Sequence, residues 1–297
     1  IGDYRRLVAR CDFAPTSRQL ESANRLIEHL SALATLRGDF RYFLFADEHR
    51  FFLELAPADP DFVLSKQIAT AARALTVLGP AVSVDKQFAY CEMLFGAGHG
   101  AIVGVEQRAE LLLADNVPED PVIALVEVAN QLVGKGGRGL VLAASGFDAK
   151  AAFDQAFPKT QAIGGVIESY DTVGNLTLVP RLATSRPQFV LVGHYAWLHQ
   201  LHWYANEFET IILGKVPFEA SSRAQFRALG DAEGGFTNYL LARAILKLKG
   251  ALHRARQLGK PVALADARLT TRDYASAVLN SLAGWQIVRV GFDDILG

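Results

Sequence analysis

Three histidines form the densest group of metal-ligating side chains in the sequence, and they are His194, His199 and His202. Glu207 and Glu209 follow closely. On a helix, His199 and His202 would share one face, as a pair of zinc ligands can. This spacing is compatible with the metal site of a metal-dependent hydrolase. The chain has no His-Glu-x-x-His motif, however, and the aromatic residues among the histidines are more typical of packed or surface imidazoles.

A glycine-rich stretch, Phe95-Gly-Ala-Gly-His-Gly100, has the composition of a loop that offers backbone N–H groups to a phosphate. The strand and helix that such a loop requires are not predicted around it. Glu106 also follows too soon to bind the ribose of a dinucleotide. An ordinary turn is the better interpretation. Neither Lys135 nor Lys215, which both follow a glycine, precedes a serine or threonine, so the sequence contains no P-loop.

The only concentrated basic element is a long helix predicted over residues 236–258. Apolar residues recur along it at three and four positions and form a buried stripe, namely Leu241, Ile245, Leu248 and Leu252. Its other positions and the residues just after it are rich in cations, namely Arg243, Lys247, Lys249, His253, Arg254, Arg256 and Lys260. Such a face can follow a phosphate backbone, although a solvated surface has the same pattern.

Composition restricts the classes of protein that the chain can belong to. The formal net charge of its 297 residues is −1, so any nucleic-acid contact requires a local basic patch. Cys11 and Cys91 are the only cysteines, which excludes a disulfide scaffold and a four-cysteine metal site and favours a reducing compartment. No apolar run approaches the roughly 20 residues that span a bilayer. We therefore expect a cytoplasmic protein with no membrane contact.

The elements that must position these residues differ between the two parts of the chain. The first part predicts helices over 17–36 and 59–74 and a hairpin over 40–45 and 51–56. The polar stretch 116–119, which precedes a helix over 122–133, marks a boundary, and the predicted domains are 1–130 and 131–297. In the second domain, strands at 139–143, 162–167, 188–192, 210–213, 262–265 and 286–290 alternate with helices at 148–157, 195–204, 236–258 and 271–282. This alternation predicts a mainly parallel sheet covered on both faces.

Several segments, in order, resemble the second motor domain of DinG/XPD-type superfamily 2 DNA helicases. Gly139-Leu-Val-Leu-Ala-Ala-Ser145 resembles motif IV, and Val190-Leu-Val-Gly-His-Tyr-Ala-Trp-Leu-His-Gln-Leu-His202 resembles motif V. Thr210-Ile-Ile-Leu-Gly-Lys-Val-Pro-Phe218 is similar to the next strand with its Lys-Leu-Pro-Phe signature, and the helix 236–258 stands at motif VI. Asp266-Ala-Arg268, Tyr274 and Asn280-Ser-Leu282 are similar to the closing motifs. With a weaker likeness of 59–95 to the first motor domain, the resemblance covers about residues 50–282.

The chain departs from this family at residues that carry its catalysis. His199 and His202 stand at acidic positions of motif V, Lys247 at the glutamine of motif VI and Ala251 at its first arginine, whereas Arg254 is retained. An arginine finger accelerates phosphoryl transfer roughly 10³- to 10⁵-fold, so its loss is severe. The Walker A loop and the metal-binding acidic motif lie outside the chain. The resemblance therefore implies no ATP hydrolysis by this chain alone, and ATP with Mg only if a partner or an upstream segment supplies the Walker motifs.

The resemblance predicts an α/β fold, with a RecA-like parallel sheet flanked by helices after a partial α/β remnant of the first motor domain. It implies a helicase-derived protein of DNA transactions, which binds single-stranded nucleic acid and a protein partner. The expected nucleic-acid-binding residues are Ser145, His194, Lys215, Arg243 and Lys247, and Arg254 is expected in a nucleotide cleft. A metal-dependent hydrolase that uses the three histidines and a non-catalytic protein-interaction scaffold remain alternatives.

Overall fold

A computed structural model describes residues 40–46, 51–57, 81, 83–85, 87–95, 109–143, 148–155, 167–169, 188–194, 208–219, 226, 230–231 and 234–296. The helices predicted over 17–36, 59–74 and 195–204 lie outside the described residues, as do the glycines of 96–100 and most of the strand predicted over 162–167.

The predicted hairpin is confirmed. Strands β1 (Phe40–Ala46) and β2 (Phe51–Pro57) pair antiparallel, with Phe40 opposite Pro57 and Ala46 opposite Phe51.

The main sheet has seven parallel strands in the described part of the chain. They are β3 (Ala109–Asp115), β4 (Gly139–Ala143), β5 (Ile167–Ser169), β6 (Phe189–Gly193), β7 (Thr210–Leu213), β8 (Val262–Leu264) and β9 (Trp285–Gly291). Their order across the sheet is β5-β6-β4-β7-β8-β3-β9, and every neighbouring pair is parallel. The central strands are short apolar runs with buried side chains, as strands covered on both faces are.

Helices cover both faces of this sheet. Helices α2 (Pro121–Gly134) and α3 (148–155) pack on one face, whereas α4 (Ala242–Gln257) and α6 (Ala275–Ser281) pack on the other. Side chains along a strand alternate between the faces, so Ile211 and Leu213 join the core under α4 while Ile212 joins the core under α2. The two short helices are α1 (Ala89–Phe95) and α5 (Arg268–Thr271). The predicted fold class, an α/β RecA-like parallel sheet flanked by helices, is confirmed.

The helix predicted over 236–258 consists of two kinds of turn. Residues Phe236–Leu241 are π-helical and lead without a break into α4. Gly234 precedes this segment with φ of +66°, a left-handed conformation that glycine adopts without strain. A Cβ atom at Gly234 would lie 2.8 Å from the Nδ2 atom of Asn238. The apolar spacing predicted one helix, and it could not show the wider turns at its start.

The sheet begins before the predicted domain boundary at residue 130. Strand β3 lies between β8 and β9, and its register pairs Ala109 with Trp285. The polar stretch 116–119, from which the boundary was predicted, is the loop from β3 to α2, where Asn116 has a positive φ of 60°. Turn residues mark such loops within a domain as well as linkers between domains. The division into two domains, and the origin of the first part as a motor-domain remnant, stay predictions.

Residues 83–85, upstream of β3, also attach to the sheet domain. The Nζ atom of Lys249 on α4 donates to the carbonyl oxygen of Ser83 at 2.8 Å and to its Oγ atom at 3.2 Å. The backbone N–H of Asp85 donates to the Oγ atom of Ser281 on α6 at 3.0 Å. Val84 packs against the core under these helices. This short segment therefore covers part of the α4 and α6 face.

Candidate functional site

The carboxyl ends of the parallel strands, which we call the carboxyl edge, form a cleft. Ligands of open α/β sheets bind outside this edge, because the loops there diverge and leave a crevice. The cleft has a volume of about 240 Å³, and it lies between the loop before α2 and the loops after β7 and β8. Its charged lining residues are Glu119, Lys215, Asp266 and Arg268.

Asp266 and Arg268 hold the loops of the cleft together. The Asp266 side chain is 4% exposed and accepts from the backbone N–H of Val216 at 2.7 Å and from Nη2 of Arg268 at 2.6 Å. Arg268 Nη2 also donates to the carbonyl oxygen of Val216 at 3.0 Å. Burial alone would lower the pKa of Arg268, but the hydrogen bonds and charge of Asp266 outweigh it and raise that pKa. Both groups therefore serve mainly to fix the loops after β7 and β8.

Lys215 and His194, which were predicted as nucleic-acid contacts, do meet at the carboxyl edge. Lys215 Nζ lies 3.3 Å from Asp148 Oδ2, and its side chain is 26% exposed at the cleft. His194 lies at the end of β6 and donates from Nε2 to the carbonyl oxygen of Lys215 at 2.9 Å. Its Nδ1 atom is buried without a hydrogen-bond partner.

His194 is buried and holds the backbone of Lys215. Its side chain is 3% exposed, and this burial lowers its pKa to about 4, so the ring is neutral at pH 7. The predicted contact of His194 with nucleic acid stays a prediction, and in this structure the ring reaches the cleft only through the backbone of Lys215. The metal alternative gains no support, because Nε2 of His194 is hydrogen-bonded to the backbone, and His199 and His202 lie outside the described residues. Within the described residues, no group of three metal-ligating side chains occurs.

Two predicted nucleic-acid residues of α4 share one carboxylate. Glu219, in the loop after β7, accepts from Nε of Arg243 at 2.6 Å and from Nζ of Lys247. The two cations are 37% and 34% exposed, whereas Glu219 is 11% exposed. Burial would raise the pKa of Glu219, but the hydrogen bonds from Lys247 and Arg243 lower it overall. The three side chains, which we call the Glu219 triad, therefore carry one positive charge in excess.

Arg254 lies away from the residues predicted to act with it. The chain returns along α4 from the carboxyl edge to the start of β8 at the amino edge, since β7 and β8 are parallel. With a rise of about 1.5 Å per residue, Arg254 lies roughly 10 Å beyond Lys247 along the helix. Two residues later, Arg256 packs on Trp285, the first residue of β9, at 6.0 Å. Arg254 is exposed there and does not line the cleft, and Ser145 lies outside the described residues.

Three aromatic side chains form a cluster beside the cleft. Phe218 and Phe236 are stacked, with ring centroids 5.9 Å apart and an interplanar angle of 12°. Tyr274 lies 5.3 Å from Phe218 and 5.7 Å from Phe236. The guanidinium carbon of Arg268 lies 5.2 Å from the centroid of Phe218. Phe236 is 41% exposed, so this aromatic cluster is partly open to solvent.

Sequence reasoning missed the carboxylates that hold the basic residues, and it missed the aromatic cluster as a group. Glu219 is separated by 24 residues from Arg243, and Asp148 by 67 residues from Lys215. No local spacing indicates contacts over such separations. The nearest available signal was the pattern of basic residues at the start of the long helix, which requires acidic partners when half-buried.

No protein-family model matches the chain, and no curated protein matches it. Among solved structures, the C-terminal domain of the DEAD-box protein Dbp5 is 13% identical, with a TM-score of 0.39 over 64% of this chain and 94% of that one. The UvsW helicase from bacteriophage T4 is 11% identical, with a TM-score of 0.32 over 62% of this chain and 54% of that one. S. cerevisiae Dbp5 bound to RNA and ADP BeF3 is 12% identical, with a TM-score of 0.39 over 69% of this chain and 48% of that one. The fold class itself rests on the strand order and registers of this chain.

Proposed function

We propose that this chain is a helicase-type domain of the DinG/XPD branch that binds single-stranded nucleic acid along its carboxyl edge and does not hydrolyse ATP alone. It would act in the cytoplasm, either as a degenerate subunit or as a segment of a larger helicase. The observation that carries the proposal is the excess positive charge of the Glu219 triad beside a cleft lined by Lys215.

The charges at this edge suit a phosphate backbone. The whole chain has a net charge of −1, so binding has to be local, and here Arg243 and Lys247 on α4 and Lys215 in the loop after β7 are partly exposed. Their carboxylate partners already fix the side chains, which reduces the entropy that a ligand must remove. If these cations neutralise two or three phosphates of a single strand, the slope of log K against log salt would be about −1.4 to −2.1.

The arrangement of arginines supports the absence of ATP hydrolysis. Phosphoryl transfer requires an arginine or metal beside the developing charge. Arg254 lies at the amino edge, and Arg268, which does line the cleft, is held by Asp266 and Val216. With no P-loop in the sequence, ATP and Mg would have to be held by Walker motifs from a protein partner or an upstream segment.

The test measures binding of a fluorescent oligo-dT to the full chain at 50 and 200 mM salt, with ATPase activity assayed in the same tubes. Lys247→Glu should weaken binding, whereas Arg254→Glu on the same helix should not, since it reverses a charge at the amino edge. Glu219→Gln should strengthen binding, because it frees two cations from their shared carboxylate.

Three results would overturn parts of the proposal. Absence of salt-sensitive binding at 50 mM salt would exclude the nucleic-acid role and leave a protein-interaction scaffold. ATP turnover that nucleic acid stimulates would show that this chain holds a complete catalytic site. Equal effects of Lys247→Glu and Arg254→Glu would place the binding surface away from the carboxyl edge.

A further inference from the structure

We infer that the aromatic cluster of Phe218, Phe236 and Tyr274 is a stacking site for one base of a single-stranded nucleic acid. This inference rests on the proposed function, because it assigns a binding subsite for the same nucleic-acid strand. The exposed ring of Phe236 would carry the base, and Phe218 and Tyr274 would support that ring from behind.

The geometry of the cluster suits a flat ligand. Phe218 lies nearly parallel to Phe236 at 5.9 Å, and Tyr274 contacts both rings at a steep angle. These contacts fix the orientation of Phe236, although 41% of its surface is open. A ring that is held in place but exposed loses little conformational entropy when a base stacks on it.

The backbone presents Phe236 through an unusual turn. Phe236 is the first residue of the π-helical segment, which is entered through the left-handed Gly234. Most π-helical turns in proteins are short, because an ordinary α-helix would be more stable. They occur frequently at functional sites. Here the wider turns set the direction of Phe236 relative to α4, on which Arg243 and Lys247 lie.

The surroundings of the cluster favour a nucleotide over an apolar protein partner. Phe218 contacts Arg268 on one side and is followed in the chain by Glu219, which holds Arg243 and Lys247. An aromatic face with cations beside it matches a base with its phosphates. Among the residues whose side-chain burial the structure describes, Ile123 and Phe236 are the large exposed hydrophobic residues, and these two do not form a continuous apolar patch.

The test compares two oligonucleotides of equal length and charge, an oligo-dT and one made of abasic nucleotides, in fluorescence anisotropy with the full chain. Phe236→Leu should weaken oligo-dT binding by about 5- to 150-fold, the range typical of one stacked base. It should leave abasic binding unchanged, and Phe236→Tyr should retain full affinity. Ile123→Ala is the matched control, since Ile123 is 42% exposed and cannot stack, and it should change neither affinity.

The outcomes separate this inference from the function on which it rests. If the wild-type chain binds both oligonucleotides and Phe236→Leu changes neither affinity, the stacking site is refuted while backbone binding stands. If the wild-type chain binds neither at low salt, the proposed function itself fails. Concentration-dependent self-association that Phe236→Leu abolishes, without an effect on oligo-dT affinity, would assign the ring to a second copy of the chain and also refute the inference.

Discussion

Two aspartate–arginine pairs in this protein differ mainly in burial, and they permit a controlled test of how the cleft is held. Asp266 and Arg268 are 4% and 25% exposed, whereas Asp115 and Arg289 are 35% and 54% exposed. In both pairs the closest nitrogen and oxygen atoms are 2.6 Å apart. The perturbation is the same in each, since Asp266→Asn and Asp115→Asn both replace a carboxylate with an amide of equal size.

The expected magnitudes follow from the donors around each carboxylate. Oδ1 of Asp266 accepts from N and Nε of Arg268, and Oδ2 accepts from Nη2 of Arg268 and from the backbone of Val216. Whichever oxygen becomes the amide nitrogen, at least two donors lose their acceptor, each at about 1 to 3 kcal/mol. Because Arg268 is partly exposed, solvent reduces the cost of its lost hydrogen bonds. We therefore expect Asp266→Asn to lower the unfolding free energy by about 3 kcal/mol. Asp115→Asn should cost less than about 1 kcal/mol.

The assay is urea unfolding of both variants and the wild type at pH 7, with thermal unfolding alongside. For a domain of this size about 3 kcal/mol lowers Tm by roughly 6 to 12 °C. Replacing both partners, as Asp266→Leu with Arg268→Met, should recover only part of the loss, because an apolar pair leaves no unpaired charge but removes both partners of the Val216 backbone. Equal destabilisation by Asp266→Asn and Asp115→Asn would refute the reasoning.

Two further predictions concern stability. Burial lowers the pKa of His194 to about 4, below its unfolded value near 6.5, so the unfolded state binds more protons between these two pH values. The protein should therefore be about 2 kcal/mol less stable at pH 5 than at pH 7 in denaturant titrations. His194→Gln should remove most of this difference. Gly214→Ala should cost about 1 to 3 kcal/mol, because its Cβ would lie 2.9 Å from the carbonyl oxygen of Leu142, whereas Gly137→Ala, with no atom nearer than 3.9 Å, should unfold at nearly the wild-type denaturant concentration.

Much of the sheet domain could be predicted from its periodicity. The runs at 139–143, 188–192, 210–213 and 262–265 are apolar on both faces, and each corresponds to a central strand within one residue. Strand β3 was not predicted, because Ala-Glu-Leu-Leu-Leu-Ala-Asp has residues that favour helices and no clear alternation. The π-helical start of the long helix was also missed, since apolar spacing over six residues does not separate helix types.

The candidate site was predictable only in part. The basic residues of the long helix and Lys215 were identified from their type and position, and the structure places Lys215, Arg243 and Lys247 at one edge. What the sequence could not show is the burial of His194 and the position of Arg254, because both depend on which end of the sheet a residue reaches. These are consequences of strand direction and helix length, which a local pattern does not contain.

The place of β3 between β8 and β9 bears on how the chain folds during synthesis. Asp115 at the end of β3 is 174 residues from its partner Arg289 on β9, and β8 also follows late in the chain. At about 5 to 20 residues per second, a ribosome needs roughly 9 to 35 s to make the intervening segment. The nascent β3 lacks both neighbouring strands until β8 is made, and it lacks β9 for all of that time, so the sheet cannot close from its amino-terminal end onward. Completion of the described sheet therefore waits for β9 to leave the ribosome.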